Sequence, residues 1–294
     1  MGVLRLTPGV FADSGRSLER AAVTCGRRMI SEGADIVEIC CTPCHPGRPA
    51  TTGVRNDWDV QAQQVANVVE ALAGDVRVAL ATGSPELTAA AVAAGATLIC
   101  DRSMVRSTDA GRAPELATVD ESAREALIGV AAETGAGWVA VQLPDPAASP
   151  AGEANGPHPG DSPIVTETLA ALQAQADRVS AAGVREIHLD PGIGCGRPAA
   201  EDLDVLGGLE RLVALGRPLV VGTGDGRLID ELHAAADAPR LPAPGDCRTD
   251  RLEGALVVAV WAMLAGAAVL RTHHVAATVQ AARTVGAKQP VGTP

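Results

Sequence analysis

Eight short runs of aliphatic residues recur along the chain, and each is followed by a longer segment with helical periodicity. Such alternation is typical of βαβ units and predicts a parallel sheet. Eight units without a break in composition favour a closed (β/α)8 TIM barrel of the α/β class, with a doubly wound open sheet as the alternative. The predicted strands are Val3–Thr7, Asp35–Cys41, Val76–Thr82, Thr97–Asp101, Trp138–Leu143, Glu186–Asp190, Pro218–Gly222 and Ala268–Arg271.

The core must be built from small aliphatic side chains. Hydrophobic residues make up 47% of the 294 positions, yet there is no Tyr, one Phe and three Trp. Val, Leu, Ile and Ala therefore have to fill the interior, which suits parallel strands that are buried on both faces. Barrels of about 250 residues normally form one domain, so we expect a single barrel domain over residues 1–288 and a short tail over 289–294.

Charge and hydropathy restrict the possible partners. The formal net charge is −11 and the basic residues are not clustered, which argues against nucleic acids and anionic membranes as partners. No apolar run reaches the roughly 18 residues of a membrane span, and we expect a soluble, cytoplasmic protein. The only lysine is Lys288, so the Schiff-base chemistry of aldolase-like barrels is excluded.

Several motifs at the predicted strand ends point to one family. The strongest follows the sixth strand and reads Asp190-Pro191-Gly192-Ile193-Gly194. With these motifs the chain resembles the dihydropteroate synthase family, whose members join 6-hydroxymethyl-7,8-dihydropterin pyrophosphate to 4-aminobenzoate. The supporting motifs are Thr7-Pro8 with Phe11 and Asp13, Gly33–Ile36, Pro46-Gly47, Arg217–Gly222, Arg251–Gly254 and Leu270–His273.

The resemblance implies a pterin site that includes Asp190, Thr82, Asp101 and Gly222. A pterin ring presents adjacent N–H donors, and one carboxylate can accept two of them in parallel. Asp190 is the residue placed for this contact. The alternative for Asp190 is that its side chain caps the following helix.

The resemblance also implies the sites for the other substrate groups. Arg271 and His273 would bind the departing pyrophosphate, since strand residues two apart share a face and a guanidinium suits that anion. The alternative for Arg271 is an ion pair with an Asp or Glu of a neighbouring loop. Pro46 and Arg227 would lie on the aminobenzoate side.

Much of the polar site that the family would supply is replaced in this chain. The family's metal-linked Asn falls at Arg5, so the implied Mg²⁺ is not expected to bind there. Its pterin-binding Asp falls at Ala81, its Asn at Cys100, and its Ser-Arg-Lys segment at Gly224–Gly226. We therefore predict weak or no synthase activity, with retained binding of a pterin-like or anionic ligand. The alternative is a working synthase that uses Arg5 and Arg227 instead.

Cysteine and histidine residues near the strand ends suggest a different class of function. The seven cysteines are expected to be reduced thiols, because an odd, clustered set is unlike a disulfide framework. Soft nitrogen and sulfur ligands suit zinc, so a metal or reactive-thiol site is a further alternative. Its candidate residues are Cys41, Cys44, His45, Cys100, Cys195, His273 and His274.

The segment Ala255–Ala268 is apolar around nearly its whole circumference. A helix of this kind is either deeply buried or covers a subunit interface. The resemblance implies pairing through helices in this region, so we expect a homodimer. A non-catalytic partner subunit, whose outer helices bind another protein, is the remaining alternative.

Overall fold

The computed structural model describes most of the chain and leaves several connecting segments aside. The described residues are 1–6, 18–41, 58–102, 104–105, 118–119, 121–143, 161–223, 227–236 and 251–286. The predicted loop after strand seven, residues 238–249, lies outside these ranges, as does most of the predicted loop over residues 144–163.

Eight parallel strands in the described residues form a closed barrel. One sheet has the order β1-β2-β3-β4-β7-β8, and β9 pairs with β10. Bridges between Leu189 and Leu219 and between Gly2 and Thr272 join the two sheets at both edges, so the barrel closes. The strands are β1 (Gly2–Arg5), β2 (Ile36–Cys40), β3 (Arg77–Thr82), β4 (Leu98–Asp101), β5 (Met104–Val105), β6 (Thr118–Val119), β7 (Gly137–Val141), β8 (Ile187–Asp190), β9 (Val220–Gly222) and β10 (Val269–Arg271).

Helices follow the barrel strands and surround them, as the sequence pattern predicts. The helices of the described part are α1 (Leu18–Ser31), α2 (Trp58–Ala73), α3 (Pro85–Ala93), α4 (Glu121–Thr134), α5 (Pro163–Ala181), α6 (Ala199–Gly207), α7 (Leu209–Val213), α8 (Arg227–Ala236), α9 (Leu252–Leu264) and α10 (Val275–Gly286). All eight predicted strands are confirmed, with ends that shift by no more than two residues. The short antiparallel hairpin of β5 and β6 was not predicted, because two-residue strands carry almost no periodic signal.

Strand alternation decides which side chains face the barrel interior. Successive residues of a strand point to opposite faces, and one buried cluster contains alternate residues from several strands. Its members are Val3, Ile36, Cys40, Ala79, Ala81, Leu98, Cys100, Val139, Val141 and Val220. By the same alternation, Arg5, Glu38, Asp190 and Arg271 are directed inward. Charged side chains therefore enter the interior near the carboxyl ends of the strands.

Helix α9 is the apolar helix that the sequence singled out, and it is buried on one side only. Ala255, Ala259 and Ala262 pack inside, whereas Val257 and Leu264 are 63% and 65% exposed. Among the described residues, no helix combines the length and the apolar character that crossing a membrane requires.

Candidate functional site

A buried ion-pair network lies at the carboxyl mouth of the barrel and joins three strands. The Arg271 Nε donates to Glu38 Oε2 at 3.0 Å, and its Nη1 donates to Asp190 Oδ2. The Nη2 of Arg271 lies 3.7 Å from the Cys100 sulfur. All four side chains are buried. Glu38, Asp190 and Arg271 are called the carboxyl-end network below.

Electrostatics keeps Glu38 and Arg271 of this network charged. Burial favours the neutral form of Glu38, but Arg271 and Arg102 outweigh it and hold the pKa of this carboxyl below its usual value. Burial likewise opposes the charge of Arg271, but Glu38 and Asp190 raise its pKa well above the ordinary range. In the protein interior, an ion pair is stable only when opposite charges lie close together and the hydrogen bonds of both partners are satisfied.

The Cys100 thiol stays protonated beside this network. Burial and the neighbouring Glu38 carboxylate raise its pKa well above the ordinary value. Because a reactive cysteine needs a thiolate, Cys100 acts here as a small buried side chain that hydrogen-bonds to Glu38.

The loop after β8 positions Asp190 through glycine backbone geometry. Asp190 Oδ1 accepts a hydrogen bond from Gly192 N at 2.8 Å. Gly192 has φ +69, and a Cβ on it would lie 1.9 Å from the Gln142 carbonyl oxygen. Only glycine fits this approach. The Pro-Gly-Ile-Gly sequence is therefore explained by a tight return of the chain across the mouth of the barrel.

Two buried side chains anchor the same loop from below. The Arg197 Nη1 donates to the Pro191 carbonyl at 2.6 Å, and Asp202 Oδ2 accepts from Gly194 N at 2.9 Å. Burial raises the pKa of Asp202 to about 7, although the Gly194 hydrogen bond and Arg197 act against this shift. Arg197 and Asp202 thus support the loop that carries part of the site.

A cavity opens at this mouth between the strands and the β8 loop. Four residues that the sequence analysis named as pterin-binding or pyrophosphate-binding line it together: Asp190, Gly222, Arg271 and His273. The other described residues in its wall are Val3, Glu38, Arg102, Ile193, Gly194, Cys195, Thr223, Leu228, Ile229 and Val258. Among the described residues the cavity has a volume of about 60 Å³, and it combines apolar walls with a few convergent charged groups, a composition that small-molecule sites share.

Thr82 and Asp101 are turned away from the interior. Each follows directly after an inward-facing residue of its strand and therefore faces outward. Neither is among the described residues that line the cavity. The Thr82 hydroxyl accepts from Ser84 N at 3.1 Å, and Asp101 pairs with Arg124 of α4 at 2.8 Å. The geometry gives both residues structural contacts.

The Cys/His alternative gains little from the geometry. The described part of the chain contains no group of three or more His, Cys, Asp or Glu residues that could hold a metal ion. Cys41 is half-buried and His274 is exposed. Burial raises the pKa of the Cys195 thiol, which hydrogen-bonds to Arg102.

Some predicted residues lie outside the described part of the chain. Pro46, Cys44 and His45 belong to such a segment, and so does the side chain of Arg227, whose backbone begins α8.

Glu38 is a charged site residue that the sequence analysis missed, as is Arg102 in the cavity wall. A signal was available, because Glu38 is the one charged residue in the aliphatic run Ile36-Val37-Glu38-Ile39-Cys40. A charge within a buried strand needs a partner. The partner itself, Arg271, lies 233 residues away and could not be deduced from this run.

Comparison with known proteins supports the resemblance. A family model described as pterin binding enzyme matches residues 1–273. The chain belongs to this family. Its relatives include the dihydropteroate synthase of Mycobacterium leprae, which is 32% identical over 291 residues, covering 98% of this chain and 92% of the relative.

Solved structures of the pterin binding enzyme family have the same fold. The dihydropteroate synthase of Xanthomonas albilineans with 4-aminobenzoic acid superposes with a TM-score of 0.75 at 28% identity, covering 100% of this chain and 93% of that one. The same enzyme in complex with 7,8-dihydropteroate gives a TM-score of 0.72 at 27% identity, covering 100% and 94%. The chain is thus a dihydropteroate synthase-like protein with the TIM barrel fold.

The Mg²⁺ that the resemblance implies does not fit the residues at the end of β1. Arg5 places a guanidinium there, and its Nη2 lies 3.4 Å from His273 Nε2. Among the described residues of the cavity wall, the carboxylates are those of Glu38 and Asp190, and Arg271 engages both. A hard cation prefers available oxygen ligands and is repelled by a fixed positive charge. The residues at the end of β1 therefore do not provide a Mg²⁺ site.

Proposed function

We propose that this protein binds a pterin-like ligand at the carboxyl mouth of its barrel through Asp190 and has weak or no synthase activity. The observation that carries the proposal is the buried Asp190 carboxylate in the cavity wall, held by Gly192 and Arg271. The dihydropteroate complex of a relative with the same fold supports the choice of ligand class.

Asp190 retains the capacity to accept two parallel hydrogen bonds. A carboxylate has about four acceptor positions. Gly192 N occupies one on Oδ1, and Arg271 Nη1 occupies one on Oδ2. Counting only hydrogen bonds from the described residues, one position on each oxygen is left for a ligand that presents two adjacent N–H donors, and the charged acceptor strengthens both bonds.

Low synthase activity is supported by the replaced residues in the same interior. Ala81 and Cys100 are fully buried where the resemblance implies a pterin-binding Asp and Asn. Ala81 has no polar side chain, and Cys100 is engaged with Glu38 and Arg271. Each missing hydrogen bond to a polar ligand group weakens binding by about 1 kcal/mol or more. The site therefore keeps Asp190 for hydrogen bonds to the pterin ring and lacks the polar groups that the resemblance implies at Ala81 and Cys100.

Calorimetry with Asp190→Asn tests the binding proposal. The full chain is titrated with 6-hydroxymethylpterin, and the variant is expected to bind about 10- to 100-fold more weakly, because it loses charge-assisted hydrogen bonds. Asp177→Asn makes the same change on the exposed face of α5 and should leave the affinity unchanged. Equal affinities in wild type and Asp190→Asn, with both folded by circular dichroism, contradict the proposal.

An activity assay separates the proposal from the alternative of a working synthase. Dihydropteroate formation from the pterin pyrophosphate and 4-aminobenzoate is followed by chromatography. We expect little or no product. Rapid turnover that is abolished in Asp190→Ala would instead establish a functional synthase with an altered site.

We also propose that the protein forms a homodimer through the exposed side of α9. Val257, Trp261 and Leu264 are exposed large apolar residues on this helix. Together with Leu206 and Glu210 of the neighbouring helices they line a groove of about 600 Å³. Apolar patches of this kind mark interaction surfaces, and a second copy of the same helix supplies a matching apolar face.

Light scattering after size exclusion tests the dimer. The chain mass is 29.7 kDa, and a dimer has twice this mass. Leu264→Glu should give the monomer, whereas Leu232→Glu, at an exposed apolar position on α8, should not. A monomeric wild type would contradict the proposal.

A further inference from the structure

Asp202 is a fully buried carboxyl that is attached to the loop of the proposed site. The β8 loop comprises residues 191–198, between β8 and α6. Asp202 lies in the first turn of α6, and its Oδ2 accepts the hydrogen bond from Gly194 N. Gly194 is in the cavity wall. Asp202 therefore holds the β8 loop at a point where the loop borders the cavity.

Arg197 connects Asp202 to the backbone that positions Asp190. Its Nη1 donates to the Pro191 carbonyl at 2.6 Å and lies 3.5 Å from the carbonyl oxygen of Gly192. The Gly192 N–H in turn donates to Asp190. The same Nη1 is 3.8 Å from Asp202 Oδ1, which is beyond hydrogen-bonding distance. A closer approach of the two charges would draw Arg197 away from the Pro191 carbonyl.

The surroundings of Asp202 favour its neutral form. Its buried Oδ1 has no hydrogen-bond partner among the described residues. Besides Arg197, the charged side chains that act on it in the described part of the chain are Glu201 on α6 and Glu231 on α8, and both repel an ionised carboxylate. Burial of an incompletely hydrogen-bonded charge costs free energy, and burial is the main cause that raises the pKa of Asp202 to about 7.

Helix α6 is also joined to a second part of the cavity wall. Glu231 of α8 accepts a hydrogen bond from Ala199 N, at the start of α6, at 2.9 Å. Leu228 and Ile229, within one turn of Glu231, line the cavity. A movement of the first turn of α6 would therefore reach the cavity through the β8 loop and through α8.

We propose that Asp202 is a positioning residue that makes ligand binding at Asp190 depend on pH: its neutral form holds the β8 loop closed, and its ionised form releases the loop and weakens binding. The ionised carboxylate gains water, or it gains Arg197 at the expense of the Pro191 carbonyl. Either movement disturbs the Gly192 backbone that holds Asp190. Because the closed loop retains the proton more strongly, a ligand that needs the closed loop binds more tightly as the pH falls. This role rests on the proposed pterin function for the identity of the ligand.

Hydrogen exchange of the ligand-free full chain tests the release of the β8 loop. Exchange of the backbone amides of residues 192–197 is followed at pH 6 and pH 8 and corrected for the intrinsic effect of pH on exchange. We expect protection to fall about 3- to 10-fold in the wild type, within the limit of about tenfold per pH unit that one proton sets. Asp202→Asn keeps an acceptor for Gly194 N and does not ionise, so its protection should stay constant. Asp204→Asn makes the same change at a half-buried position of α6 and should behave like the wild type.

Calorimetry with 6-hydroxymethylpterin tests the effect on binding. Relative to Asp202→Asn, the wild type should bind equally well at pH 6 and about 3- to 10-fold more weakly at pH 8. A purely structural role of Asp202 predicts instead that the variant binds more weakly at both pH values. Any pH dependence that comes from His273 or from the pterin itself persists in Asp202→Asn, so the difference between the two proteins reports on Asp202.

Three results overturn the proposal: loop protection that changes equally with pH in the wild type and Asp202→Asn, an affinity ratio that is the same at pH 6 and pH 8, or weaker binding by the variant at pH 8. If Asp202→Asn does not fold, proton uptake is measured for the wild type by titrating the pterin at pH 6 in buffers of different ionisation enthalpy. Binding without proton uptake then overturns the proposal.

The pH-dependent loop and the proposed function fail in different ways. If the wild type binds no pterin at any pH, the proposed function is wrong, and hydrogen exchange alone decides whether Asp202 controls the β8 loop. Pterin binding that depends on Asp190 but has the same pH dependence in Asp202→Asn upholds the proposed function and disproves the role of Asp202.

Discussion

The two mouths of the barrel each contain an inward-facing ion-pair network, and β8 contributes to both. At the carboxyl mouth, Arg271 joins Glu38 and Asp190 in full burial. At the amino mouth, Arg77 joins Glu186 by two hydrogen bonds of 2.7 and 2.8 Å. The Arg77 and Glu186 side chains are 31% and 44% exposed. We call Arg77 and Glu186, with His188, the amino-end network.

The difference shows how burial changes the role of the same chemical groups. The amino-end network tolerates the loss of a partner, because water can solvate the charge that is left. The carboxyl-end network cannot, because a single charge left behind would be buried. The carboxyl-end network therefore holds its carboxylates in fixed positions, and Asp190 is one of them.

The largest expected effect is the removal of the shared guanidinium. Arg271→Met leaves two buried carboxylates without their partner and should lower the free energy of unfolding by about 3–5 kcal/mol. Arg77→Met is the matched change at the amino mouth and should cost at most about 1 kcal/mol. Urea denaturation measures both. Equal losses for the two variants would break the distinction between the mouths.

The second expectation is that Asp202, below the carboxyl mouth, and Glu186, at the amino mouth, make the stability of the fold depend on pH in opposite directions. The pKa of Asp202 is about 7 in the folded chain against 3.8 ordinarily, so the folded state keeps a proton that the unfolded state loses. This contribution to stability is full below pH 3.8 and is lost as the pH rises to about 7. Relative to Asp202→Asn, the wild type should lose on the order of 2–4 kcal/mol between pH 4 and pH 8. The prediction is contradicted if the free energies of unfolding of wild type and Asp202→Asn differ by the same amount at pH 4 and at pH 8.

Glu186 should show the reverse pH dependence with a smaller amplitude. Its pKa is lowered from 4.5 to about 2, chiefly by its hydrogen bonds with Arg77. Burial acts against this shift, and the hydrogen bond with His188 adds to it. Its stabilising contribution is present above pH 4.5 and is lost as the pH falls through about 2. Because the side chain is partly exposed, Glu186→Gln should cost at most about 1 kcal/mol at pH 7. Thermal unfolding at pH 7 and pH 3 measures the cost, which should be smaller at pH 3.

Salt provides the smallest expected effect. At 1 M ionic strength the screening length is about 3 Å, so the cost of Arg77→Met should fall by a few tenths of a kcal/mol. The cost of Arg271→Met should not change, since solvent ions do not reach the buried pair. Denaturation at low and high sodium chloride tests this, and equal salt effects on both variants would show that the carboxyl-end network is solvated.

The fold was largely predictable, and the site only in part. Aliphatic periodicity placed all eight barrel strands, because strands buried on both faces require continuous apolar runs. Asp190, Arg271 and His273 were predicted as site residues and all line one cavity, while their ligand-binding roles stay predictions. Thr82 was assigned to the site, yet it faces outward by alternation. A displacement of one residue reverses the face of a strand residue, and strand ends are not predicted that accurately.

The sequence by itself determined the barrel, its aliphatic core and the glycine-rich loop that follows β8, since these depend on local periodicity and on backbone geometry that only glycine permits. The tertiary structure alone decided that Arg271 is shared by Glu38 and Asp190 and that Arg5 meets His273. These partners lie 81 to 268 residues apart along the chain. Closure of the barrel brings them together, and the charge balance of the site follows from that closure.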